Sequence, residues 1–208
     1  MRKAILLVVP LAGLLSQPLF AADLVDNPAY KAWSSFKPGT TVTYQITVTA
    51  IPSTLNHATA ASKLVEVTPE SLTIETTTVL SSDGMPTRTS KATVIIKAKI
   101  GEGQEMDIPA IPDMNAEIKD VQEGKETVDF KDSKLETTTR QQTVVMTAAP
   151  NTPATSSAIA LNGVAFTTQM WSSTEIPGGI FRRESKSVLN QKQLAAQSQI
   201  VVNCTIVK

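Results

Sequence analysis

From Thr41 the chain alternates. Val42, Tyr44, Ile46 and Val48 stand between Thr and Gln residues, so in an extended chain the four share one face. The same texture returns at 63–67, 71–80, 88–100, 127–130, 135–146, 164–171, 180–189 and 200–207. Thr and Val dominate these stretches, and both favour a pleated surface. Ser82-Asp83-Gly84, Lys131-Asp132-Ser133 and Pro177-Gly178-Gly179 separate them as turns. The pattern predicts a mainly β protein: a curved antiparallel meander sheet, half-barrel-like, apolar on one face and carrying Thr, Lys, Glu and Gln on the other. A closed sandwich is the alternative.

One helix precedes the strands. In Asp26 to Phe36, Asn27 suits an N-cap and Pro28 the first helical position. Tyr30, Trp33 and Phe36 recur at helical spacing, and Lys37-Pro38-Gly39 ends the segment. These three hold much of the aromatic content of a chain that is 4% aromatic. Their expected role is to dock the short N-terminal helix on the sheet.

The first residues read as an export signal of bacterial type. Arg2 and Lys3 lead an apolar run from Ala4 to Leu15, and Leu19-Phe20-Ala21-Ala22 supplies small residues before Asp23. The run is too short to span a bilayer, which takes about 20 apolar residues. Cleavage is expected after Ala21, giving a signal at 1–21 and a single β-rich domain at 22–208. The expected product has no membrane anchor and is periplasmic or secreted. Loss of Arg2 and Lys3 turns a balance of 19 basic and 19 acidic residues into a net charge of −2. Nothing in this near-neutral balance forms the basic face that nucleic acid or an anionic membrane surface needs.

Two segments break the β texture. Residues 101–114 are rich in Pro and Gly, acidic, and carry Met106, Ile108, Ile111 and Met114, an apolar set able to pack over a ligand. Residues 147–157 read as a flexible connector of low complexity.

Candidate chemistry is sparse. The one histidine, His57, lies in a loop-like stretch, Ser53 to Ala58, and no nucleophile elbow accompanies it. The one cysteine, Cys204, falls in an apolar terminal strand, as a small buried hydrophobe does. One His and one Cys so far apart make no zinc site, and Glu102, Glu105 and Asp107 lack the spacing of a calcium loop. The expectation is no catalytic, metal or cofactor site, and no enzyme. The most distinctive string runs from Trp171 through Glu175, Pro177, Gly178 and Gly179 to Arg182 and Arg183. Its Pro-Gly centre fits a type II turn. Trp171, Glu175 and Arg182 are the candidate residues at the mouth of a ligand groove, with Met106, Ile108 and Ile111 as its apolar cover.

Two strings carry a resemblance: Asn27-Pro28-x-Tyr30-x-x-Trp33-x-x-Phe36-x-x-Gly39, and Trp171-x-Ser-x-x-Ile176-Pro177-Gly178-Gly179. Together they resemble a group of small exported bacterial proteins without assigned activity, over about a sixth of the chain. More loosely, a sheet with a helix against it is similar to the periplasmic lipoprotein-carrier folds, which implies a concavity able to hold acyl chains. The function expected is a non-enzymatic binding or carrier module for an apolar small molecule. The alternative is an envelope structural module that offers a sheet edge or Thr-rich face to an envelope protein.

Overall fold

The computed structural model describes residues 24–50, 54–82, 86–101, 114–150 and 161–207. The signal at 1–21, the turn at Asp83 and Gly84, the apolar set Met106, Ile108 and Ile111, and the connector at 151–157 lie outside the described residues.

The chain begins with β1 (Leu24–Asp26) and α1 (Pro28–Ser34), then β2 (Thr41–Ala50), β3 (Thr54–Val67), β4 (Ser71–Ser82) and β5 (Arg88–Lys97). After β6 (Lys99–Gly101) come β7 (Met114–Phe130), β8 (Ser133–Ala148), β9 (Ala165–Ser172), β10 (Ile180–Leu189) and β11 (Lys192–Thr205). Nine strands form one antiparallel sheet in the order β5-β4-β3-β2-β11-β10-β9-β8-β7, and the sheet is not closed. It consists of two meanders, β2 to β5 and β7 to β11, joined where β2 pairs with β11. β1 and β6 form a separate two-stranded ribbon. The turns follow local chemistry. Asn190 and Gln191 both take positive φ, 50° and 63°, which a two-residue hairpin needs to match strand twist. The Thr68 hydroxyl accepts the Ser71 N–H at 3.0 Å and closes the turn between β3 and β4.

The expected face of β2 is the core face. Val42 and Tyr44 are buried and Ile46 packs beside them, with Leu64, Leu72, Ile74 and Val201 from neighbouring strands. Cys204, opposite Val42 on β11, is half-buried against the same cluster. α1 closes this end of the sheet. Asn27 is its N-cap, with the side-chain oxygen accepting the Ala29 N–H at 3.0 Å, and Pro28 is the first helical residue. Trp33 is buried, Tyr30 and Phe36 pack on the core, and the Tyr30 hydroxyl donates to the Thr68 carbonyl at 2.6 Å.

Several strands are longer than the alternation predicted. β3 starts at Thr54 and takes in His57, which is therefore on a strand and not in a loop; its Nδ1 lies 3.4 Å from the hydroxyl of Thr47 opposite. β7 starts at Met114 and not near Thr127, and β11 at Lys192 and not at Ile200. These arms run past the core. From Asn115 to Thr127 every residue of β7 is exposed, so no apolar face marks the strand in sequence. The run 88–100 divides at Ala98 into β5 and β6. Ala98 donates to the Glu70 carbonyl at 2.8 Å and accepts the Asn27 N–H at 2.9 Å, which ties the bend to both the sheet and the start of α1.

Candidate functional site

Cross-strand register builds the site. Directly opposed residues share a face, and one row crosses five strands as Gln141 (β8), Gln169 (β9), Glu184 (β10), Ser198 (β11) and Thr47 (β2). The next row is Thr143, Thr167, Lys186, Ala196 and Thr49. Between these rows lies a groove of about 360 Å³, lined among others by Thr47, Thr49, Gln169, Glu184 and Lys186. Its groups are mostly hydroxyls and amides; the Thr143 and Thr167 hydroxyls lie 3.2 Å apart and hold each other.

The row on the other side of Glu184 contains Trp171 and Arg182, which face each other across β9 and β10. The Arg182 guanidinium lies over the Trp171 ring, 4.8 Å from its centroid. Arg182 Nε donates to Glu184 Oε1 at 3.0 Å and Nη2 donates to the same oxygen. Below the guanidinium, the buried Trp171 donates its indole N–H to Glu126 Oε1 on β7 at 2.6 Å. Glu126, Trp171, Arg182 and Glu184 thus form a chain of contacts that ends at the groove wall. Arg182 and Glu184 are each about 40% exposed in the side chain, 42% and 40%, so their attraction is screened and serves mainly to orient.

Of the residues expected from sequence, the structure brings Trp171 and Arg182 together. Glu175 is elsewhere: it lies exposed in the connection between β9 and β10, its N–H 3.4 Å from the Ser173 hydroxyl. That connection is conformational. Ile176 and Pro177 are buried, Gly178 and Gly179 take φ of 83° and 75°, and the Gly178 N–H donates to the Ala32 carbonyl of α1 at 3.1 Å. The groove residues Glu184 and Lys186 were missed, as was Glu126. Only the strand register reveals them, and a strand reading of 180–189 places Glu184 and Lys186 on the same face as Arg182.

A second cavity, about 570 Å³, lies between α1 and the strands β7 and β8, lined among others by Lys31, Lys125, Glu136, Thr138 and Ser173. Among the described residues no three His, Cys, Asp or Glu side chains cluster as metal ligands. No described helix is long and apolar enough to cross a membrane.

No family model matches the chain, and no curated protein matches it. Two solved structures are similar to it. One is a protein from Bacteroides fragilis that is named as exported and as having a YmcC-like fold, at 10% identity and a TM-score of 0.40, covering 89% of this chain and 100% of that one. The other is a domain named as an outer membrane lipoprotein-sorting protein, from Vibrio parahaemolyticus, at 7% identity and a TM-score of 0.25, covering 80% of this chain and 84% of that one.

Proposed function

We propose that the protein is an exported, non-enzymatic binding module whose ligand lies in the groove across β8 to β2. The observation that carries this reading is the groove itself. Its volume of about 360 Å³ falls in the range of small-molecule sites, roughly 300–1,000 Å³. It runs over an open sheet, so an elongated ligand can enter from the side. Threonine methyls, glutamine methylenes and Ala196 offer carbon surface, while hydroxyls and amides between them offer hydrogen bonds. Such a wall receives a chain by contact and fixes a polar group by direction. The apolar ligand expected from sequence is therefore specified as an amphiphile. The groove presents one carboxylate and one ammonium, and the carboxylate is already held by Arg182. That arrangement suits holding a ligand better than turning one over.

Native mass spectrometry of the mature protein taken from the periplasm tests the reading, with Ala196→Trp as the comparison. Ala196 is half-buried in the groove, and the larger ring fills it without removing a hydrogen-bonding side chain. An adduct that extracts into organic solvent and is absent from a folded Ala196→Trp supports the groove. A bare mass for both variants removes it.

A second reading, a module that docks an envelope protein, is favoured by edge strand β5. Every residue of β5 except Ile96 is exposed, and Val94 and Ile95 stand 50% and 68% exposed. Its Arg88, Lys91 and Lys97 select an acidic extended segment as the added strand. A photo-cross-linker at Thr93 should capture one such partner in cells; capture at Thr93 no greater than at the distant Thr147 dismisses this reading.

A further inference from the structure

We infer that the ligand of the groove is an anionic amphiphile whose carboxylate or phosphate is received by Lys186. This rests on the groove reading above and deepens it. Two charged side chains line the groove, Glu184 and Lys186, two residues apart on β10 and so on one face. They differ in what answers them. Glu184 takes two N–H groups of Arg182 on one oxygen, and Arg182 is itself braced on the Trp171 ring. The negative charge of the groove is thus matched from within the sheet.

Lys186 has no such match. Its cross-strand neighbours are Thr167 on β9 and Ala196 on β11, and the row continues to Thr143 and Thr49 without an acidic residue. Among the described residues no carboxylate lies within ion-pair distance of its ammonium. The groove therefore holds one unbalanced positive charge, set among the hydroxyls of Thr49 and Thr167. An ammonium flanked by hydroxyl donors is the set that a carboxylate or phosphate oxygen accepts from. A neutral head group in the same place gains hydrogen bonds only. The lysine is exposed, so the discrimination is modest and sensitive to salt.

The test compares palmitate, methyl palmitate and hexadecyl phosphate, which vary the head group on a long chain, with inorganic phosphate as the head group alone. Each is titrated against the mature protein by displacement of a fluorescent acyl probe. Palmitate and hexadecyl phosphate should bind roughly fivefold tighter than the ester at low salt. The gap should close in Lys186→Gln and at high salt, and return in Lys186→Arg. Equal affinity of acid and ester, or a gap that survives in Lys186→Gln, overturns the charge assignment and leaves the groove reading standing. Displacement by inorganic phosphate alone at the same concentrations overturns the amphiphile and points to a free-anion site. If none of the three chains binds, the groove reading fails first and this inference with it.

Discussion

Gly178 shows how one residue can hold two elements together. It sits at φ 83°, where an L side chain is strained, and a Cβ there would come within 3.0 Å of Trp33 Nε1 and 3.1 Å of Cε2. Trp33 is buried and cannot step aside. Gly178→Ala is expected to cost about 2–4 kcal/mol, read as a lower urea midpoint. Gly124→Ala, whose Cβ would meet only the Thr139 hydroxyl, should cost less than about 1 kcal/mol because that hydroxyl can rotate. Near-equal losses would show that the turn is not anchored on α1. Trp171 gives a second case. Glu126→Ala leaves a buried indole N–H without its acceptor and should cost about 1–2 kcal/mol, while Glu126→Gln, which keeps an acceptor oxygen, should cost less than half of that. Chemical denaturation followed by tryptophan fluorescence checks both. Trp171 and Arg182 stand out in the sequence because a rare aromatic and a cation bracket a distinctive turn, though neither lines the groove itself. Glu126 was not, since it lies 45 residues away and meets Trp171 only through the pairing of three strands.

At the scale of elements, β1, α1 and β6 are pinned together by charge as well as by packing. Asp26 at the end of β1 meets Lys31 of α1 at 2.8 Å and Lys99 of β6 at 2.5 Å. The hydrogen bond from Lys31, then that from Lys99, pulls its carboxyl down from 3.8 to about 2. A folded value below the unfolded one stabilises the fold above about pH 4, and that contribution is lost as the pH falls through about 2. The groups are exposed, so salt should weaken the effect. An NMR titration of the Asp26 carboxyl carbon should show a midpoint near 2 that moves toward 3.8 in Lys31→Met. A midpoint that does not move would contradict the assignment. The helix itself was legible, cap and aromatic stripe together, because capping and helical periodicity are local. Strand ends were less so. Alternation marks a strand only where one face meets the core, and the outer arm of β7 is exposed on both faces from Asn115 to Thr127.

At the scale of the molecule, the mainly β, antiparallel, open character could be read from the strand pattern, but the strand order could not. The sheet depends on β2 pairing with β11, and this pairing joins two meanders that local turns specify separately. It leaves β5 and β7 as the two edges, and both carry the devices that keep edges from joining. β7 has a register break between Lys119 and Gln122, Asp120 at φ 50°, and charged side chains along its length. β5 pairs without a register break over Arg88–Lys97 and relies on Arg88, Lys91 and Lys97, three positive charges with no acidic residue among them. Two β5 edges brought together would therefore repel, while the exposed Val94 and Ile95 would otherwise favour contact. Replacing Lys91 and Lys97 by Val removes most of that repulsion and lengthens the apolar edge. The double variant is expected to self-associate in sedimentation velocity at a concentration at least about tenfold lower than the parent chain. Lys119→Val with Lys125→Val on β7 should shift association far less, because the break at Asp120 and the remaining acidic residues still interrupt that edge. Equal behaviour of both double variants and the parent would mean that charge does not guard β5.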